Sequence, residues 1–306
     1  MSKKLTIGSR GSELALTQSR YVAGIIQAAT PGTEVDVEVF STRGDEILSK
    51  PLAEIGGKGL FTEELEAALL ESRIDLAVHS LKDLPTEEPE GLCIAATPTR
   101  ATPNDALVST KFARLADLPP GAVVGTSSLR RKAQLIAVQP GLNIVDLRGN
   151  VGTRVKRVTE GDLDAAILAC AGLERIGLTD VIAEVLAPEV MLPAAGQGAL
   201  GIQTRADDAD LLEILAKLND GATHAEVAAE RALLAALGGG CQVPIGALAK
   251  VAGDSLHLRG CVCSLDGERL FRTEISGSVT DAATLGQQAA DALLREGAQA
   301  VIADIA

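Results

Sequence analysis

Hydrophobic and polar positions follow two alternating rhythms along most of the chain. Short apolar runs of strand length, KLTIGSR (4–10), VDVEVFST (35–42), IDLAVHS (74–80) and LCIAAT (92–97), are bounded by glycines and polar residues. Between them, ELALTQSRYVAGIIQAA (13–29) and TEELEAALLES (62–72) carry apolar residues at helical spacing, the second with Thr62 at the N-capping position. Strand and helix in alternation predict an α/β layer built on a mostly parallel sheet. The pattern restarts after TRATPND: AVVGTSS (122–128), NIVDLRG (143–149) and LDAAILAC (163–170) read as strands, with LRRKAQLIAVQ (129–139) and VGTRVKRVTEG (151–161) as the helices between them.

ALGIQTR (199–205) and DADLLEILAKLND (208–220) form one more strand and helix, placed to return and complete the first layer. After Gly221 the grammar changes. HAEVAAERALLAAL (224–237) predicts a helix, 245–277 predicts antiparallel strands with turns at Gly253-Asp254 and Asp266-Gly267, and a last helix covers about 282–296. The expected organisation is a discontinuous α/β domain (1–99 with 198–218), a second, arginine-rich α/β domain (100–197) and a smaller α+β domain (219–306) that carries Cys241.

Composition narrows the function classes. The 306 residues are 46% hydrophobic but only 2% aromatic, so the cores must be aliphatic. No apolar run reaches membrane-spanning length and the N-terminus lacks the pattern of a signal peptide, which predicts a cytoplasmic protein without a membrane partner. Five cysteines (93, 170, 241, 261 and 263) form an odd set without a CxxC pair, as expected for reduced thiols. Cys261 and Cys263, two apart on one strand, read as packing residues, and Cys170 as a second thiol open to oxidation. Three widely spaced histidines offer no metal-ligand grouping. A net charge of −13 argues against general affinity for nucleic acid, yet residues 100–175 hold eleven Lys and Arg against seven Asp and Glu. A basic middle inside an acidic chain points to a local anion site.

The chemistry clusters at predicted strand ends, where doubly wound sheets bind ligands. GSRGS offers Arg10 and Ser12, and HSLKDLP offers Ser80, Lys82 and Asp83. GTSSLRR sets Thr126, Ser127 and Ser128 at a helix N-terminus beside Arg130 and Arg131. Arg148, Arg154 and Arg175 lie in the same domain. Arginine binds carboxylates through a planar fork, so this set suits a small ligand with several carboxylates. Asp83 in such a pocket can transfer protons or stabilise a positive charge developing on the substrate. His79 is directed away from Ser80 by strand alternation and reads as structural. IGGKGLF (55–61) lacks phosphate-loop spacing and reads instead as a flexible flap with Lys58 and Phe61. Cys241, in LGGGCQVPIG, sits on an exposed glycine loop that leaves three roles open: nucleophile, metal ligand or covalent anchor.

Six of these motifs, GGKGLFTEELE, AVHSLKDLP, VGTSSLRR, LRGNVGTR, LPAAGQGALGI and GGGCQVPIG, resemble the porphobilinogen deaminase (hydroxymethylbilane synthase) family in order and spacing across nearly the whole chain. The resemblance implies two doubly wound, periplasmic-binding-protein-like α/β domains around a cleft, plus a smaller C-terminal α+β domain. It implies a transferase of porphyrin and haem biosynthesis that joins four porphobilinogen molecules, releasing ammonia, and then frees the linear tetrapyrrole by hydrolysis. It further implies a dipyrromethane cofactor held by a thioether to Cys241, with Asp83 as the catalytic carboxylate. Lys82, Asp83, Thr126, Ser127, Ser128, Arg130, Arg131 and Arg148 would bind the cofactor; Arg10, Ser12, Gln18, Arg148, Arg154, Arg175 and Gln197 would bind substrate. The family pattern favours a monomer that passes its product to a tetrapyrrole-cyclising enzyme. A non-catalytic two-lobed binder of small polycarboxylates is the alternative, and it leaves Asp83 and Cys241 without tasks. Thr17 and Cys170 stand where relatives commonly have tryptophan and an aliphatic residue, and neither removes a proposed catalytic group.

Overall fold

The computed structural model describes residues 4–42, 62–239 and 243–304. The chain divides into two compact units: Met1–Ala101 with Ala199–His224, and Thr102–Gly198 with Ala225–Ala306.

Unit one is an α/β layer. Its sheet runs in the order β2-β1-β3-β10-β4, made from β1 (Lys4–Arg10), β2 (Glu34–Phe40), β3 (Leu76–Ser80), β4 (Leu92–Ala96) and β10 (Leu200–Arg205). β1 pairs in parallel with β2 and β3, while the returning β10 runs antiparallel between β3 and β4. Alternation along β3 sends Leu76 and Val78 to one face, where they pack with Val22 and Ile26 of α1 (Glu13–Ala29) and Leu211 and Leu215 of α6 (Ala209–Ala216). Ala77 faces the other way, onto Leu65, Ala68 and Leu69 of α2 (Glu63–Leu70). Both faces are therefore covered, as a largely parallel sheet requires. Thr62 stands at the N-cap position of α2, as the sequence predicts, but its side chain makes no capping hydrogen bond.

Unit two contains a second layer of the same kind. Its order is β7-β6-β8-β5-β9, from β5 (Asp105–Val108), β6 (Val123–Gly125), β7 (Asn143–Val145), β8 (Ala165–Ala169) and β9 (Ile182–Val185). Here β5 is the antiparallel strand. Leu107, Ala165 and Ile167 turn towards Leu135 of α3 (Leu129–Val138). Ala106, Ala166 and Leu168 turn the other way, towards Val155 and Val158 of α4 (Val151–Thr159) and Leu173 of α5 (Cys170–Arg175). β5 and β9 are absent from the pattern read in the sequence. Each has four residues and, unlike the three-residue β6 and β7, no glycine within two residues to punctuate the run.

The rest of unit two is the expected antiparallel meander, β11 (Ile245–Ala252), β12 (Ser255–Cys263) and β13 (Leu270–Ser278). Its core is shared with α7 (Gly221–Ala236), whose first residues belong to unit one, and with α8 (Ala282–Leu293). The last predicted helix breaks at Gly297, whose φ of 109° is left-handed, and resumes as α9 (Gln299–Ala303). Glu226 and Glu230, one turn apart on α7, accept from the Val251 and Ala249 amides of β11 at 3.1 and 2.8 Å. Cys261 and Cys263 are buried, as read from their spacing, and burial raises both thiols, Cys263 to about 11. Cys170 is also buried, and desolvation together with the nearby Asp105 and Glu174 charges pushes it to about 12. The structure thus corrects the reading of Cys170 as an oxidisable thiol: a buried, protonated sulfur is inert. Among the described residues no helix is long and apolar enough to cross a membrane, and no group of His, Cys, Asp and Glu could hold a metal ion.

Candidate functional site

Two constellations of polar side chains form at the strand ends, one in each unit.

In unit one, β1 ends at Arg10, and the chain turns into α1 through Ser12, whose Oγ accepts from the Ala15 amide at 3.2 Å. Gln18, buried on α1, donates from Nε2 to Ser80 Oγ at 2.9 Å, joining the helix to the end of β3. Leu81–Asp83 then make one 3-10 turn, anchored where Leu81 N donates to Ala199 O at 3.0 Å. The turn leaves Lys82 half-buried and Asp83 exposed. Arg10, Ser12, Gln18, Thr62, Ser80 and Asp83 line a single small pocket. His79 does face away into the sheet, with Nε2 3.0 Å from Gln203 Oε1; burial holds it neutral, with its pKa lowered to about 4.

In unit two, Thr126, Ser127 and Ser128 join β6 to α3. Ser128 Oγ caps the helix, accepting from the Arg131 amide at 3.4 Å, and Thr126 Oγ1 accepts from the Ser128 amide at 3.2 Å. Ser127 Oγ donates to Leu147 O at 3.1 Å and accepts from Leu147 N at 2.9 Å, pinning this turn to the one after β7. Arg148 is half-buried in that second turn. Arg154 donates from Nε to Gly149 O at 2.7 Å, and Arg175 from Nη2 to Gly198 O at 2.7 Å.

Arg130 and Arg131 are not the solvated cations that a helix N-terminus commonly carries. Each is 6% exposed, and both bind Asp105, at 2.7 and 2.8 Å. Gln197, fully buried, donates to the same carboxylate at 2.9 Å and to Pro103 O at 2.7 Å. Burial alone would raise the Asp105 pKa, but the two guanidinium charges and their hydrogen bonds hold it well below the ordinary carboxylate range. Sequence reasoning missed Asp105. Its one signal is an acidic residue opening the otherwise apolar run DALV. Glu230 was missed too; its Oε2 accepts from Gly196 N at 2.7 Å and so holds the loop that carries Gln197. Cys241, Lys58 and Phe61 lie outside the described residues.

Comparison with known proteins assigns the family. The family model described as porphobilinogen deaminase, dipyromethane cofactor binding domain, matches residues 5–213, and the porphobilinogen deaminase C-terminal domain matches 224–295. The chain belongs to the porphobilinogen deaminase family. Relatives named porphobilinogen deaminase include that of Roseiflexus castenholzii, 52% identical over 99% of this chain and 100% of that one. The deaminase of Trichlorobacter lovleyi is 50% identical over 99% of this chain and 97% of its own. Membership in the deaminase family supports the transferase reading and not the non-catalytic binder. Its cofactor-binding domain spans both constellations in sequence, from Arg10 to Gln197. Among solved structures, a nutrient binding protein from Burkholderia cenocepacia bound to methionine is 17% identical with a TM-score of 0.44, covering 69% of this chain and 89% of that one.

Proposed function

We propose that the chain is a working porphobilinogen deaminase. It joins four porphobilinogen molecules head to tail with loss of ammonia at each step, then releases hydroxymethylbilane by hydrolysis. The observation that carries this reading is full-length kinship with deaminases combined with an exposed Asp83 beside a pocket that also holds Arg10, Ser12 and Gln18.

The residues suit a pyrrole ligand bearing carboxylates. Two buried guanidiniums share one carboxylate in unit two, so that cluster keeps one unmatched positive charge, the complement of an acidic side arm. Dipyrromethane, joined to Cys241 through a thioether, supplies a free pyrrole carbon as the nucleophile when bound. Lys82, Thr126, Ser127, Ser128, Arg130, Arg131 and Arg148 hold its carboxylates; Arg10, Ser12, Gln18, Arg148, Arg154 and Arg175 hold those of porphobilinogen, whereas Gln197, buried with its amide nitrogen bound to Asp105 and Pro103 O, is taken up by Asp105 rather than by substrate. The Asp83 carboxylate stabilises the methylene-pyrrole cation that remains when porphobilinogen loses ammonia, and it accepts a proton as the pyrrole regains aromaticity. The three separate sheets support a division into domains at 1–99 with 198–218, 100–197 and 219–306. The family reading also supports a cytoplasmic monomer that hands its product to a cyclising enzyme.

Intact mass of the denatured protein tests this. Wild type should carry an excess equal to one dipyrromethane, and Cys241→Ser none. An unmodified wild-type chain that still consumes porphobilinogen would overturn the anchoring role.

A further inference from the structure

Three side chains in unit two converge on one carboxylate. Asp105 Oδ1 accepts from Arg131 Nε at 3.1 Å, Arg131 Nη2 at 2.8 Å and Gln197 Nε2 at 2.9 Å, and Oδ2 accepts from Arg130 Nη1 at 2.7 Å. Main-chain acceptors complete the fixture. Leu192 O accepts from Arg130 Nη1 at 2.6 Å and Ile167 O from Arg131 Nη1 at 2.9 Å. Leu192 is itself held in both directions by the Gln134 amide, at 3.0 and 2.9 Å.

The charges do not balance as they would in an ion pair built for stability alone. Two buried guanidiniums against one carboxylate leave a surplus cation where desolvation is costly. Burial and the neighbouring Arg130 both act against the charge on Arg131, and Asp105 is the carboxylate that opposes them. Two adjacent guanidiniums repel, and the Asp105 carboxylate between them offsets that repulsion.

We propose that Asp105 is a positioning residue, whose one carboxylate fixes Arg130 and Arg131 in a single arrangement so that the pair, with its surplus charge, receives a carboxylate arm of a pyrrole ligand. This deepens the function proposed above and rests on it. Gln197 then acts through Asp105 as well, and Glu230, by holding Gly196, steadies Gln197.

Net charge and fixed geometry can be separated by two variants read by the fraction of denatured chain that carries the dipyrromethane mass. Arg130→Met keeps the Asp105–Arg131 fixture but cancels the surplus charge. Asp105→Asn/Arg130→Met keeps a single positive charge, as in the native cluster, but loses the fixture. Positioning predicts loading about tenfold lower in the double variant than in Arg130→Met, with both chains folded by circular dichroism. Equal or higher loading in the double variant overturns the proposal. Asp105→Glu, which keeps every charge and shifts the carboxylate by one methylene, decides the matter if the double variant does not fold: reduced loading in a folded chain supports positioning, and wild-type loading overturns it. An unmodified wild-type chain would sink the functional reading and this inference with it; a loaded wild type with the variants reversed sinks the inference alone.

Discussion

The two five-stranded sheets share one plan and set their carboxylates in opposite surroundings. In the order β2-β1-β3-β10-β4 and the order β7-β6-β8-β5-β9, the fourth strand is the antiparallel one and the second is the first in sequence among the parallel strands. That strand carries a glycine near its end, Gly8 or Gly125, where an added Cβ would stand 2.3 Å from Ile74 Cδ1 or 2.7 Å from Leu163 Cδ1. Beyond each glycine a serine caps the next helix, Ser12 in one unit and Ser128 in the other. The plan diverges at the acidic residue. Asp83 follows β3 on an exposed turn, whereas Asp105 begins β5 fully buried beneath two arginines. An exposed carboxylate can exchange a proton with a bound molecule, while one bound by two guanidiniums is occupied in holding them.

The difference should appear first in stability. Asp105→Asn removes the countercharge from two buried guanidiniums and should cost about 3–5 kcal/mol in denaturant unfolding; a loss below about 1 kcal/mol would mean that water reaches the cluster. Glu230→Ala strands the buried Gly196 and Ala249 amides and should cost about 3 kcal/mol by the same measurement. Acid should separate the two units by pH. The folded pKa of His79 lies near 4, below the ordinary 6.5, so the unfolded chain takes up the proton first. Its contribution is present above pH 6.5 and declines towards pH 4, by up to about 3 kcal/mol. The Asp105 contribution, from a carboxylate held low, is lost only below the ordinary carboxylate range. Unfolding curves from pH 7 to 4 should therefore flatten in His79→Gln; an unchanged slope would remove His79 as the cause. Asp83→Asn should change stability least, by under about 0.5 kcal/mol, because its side chain is exposed.

Much of this architecture is legible in the sequence because long elements declare a period. The helix read over 13–29 coincides with Glu13–Ala29, and the hairpin turns fall where Gly253 and Gly267 adopt positive φ. β5 and β9 stay hidden because their four-residue runs lack the glycines that punctuate β6 and β7, and β5 is the strand that carries Asp105. That is why the sequence shows the arginines as a basic cluster but not their shared carboxylate: the Arg130 and Arg131 contacts to Asp105 join residues 25 and 26 positions apart. Local pattern reports composition and periodicity; partners distant in the chain require the fold.

The role proposed for the exposed Asp83 is chemical rather than structural. It is tested most directly by ammonia release from porphobilinogen, measured for wild type and Asp83→Asn at equal concentrations of folded protein. A loss of about a hundredfold or more with an unchanged melting temperature is expected. Release within about twofold of wild type would contradict it, since removing a general acid–base group costs far more.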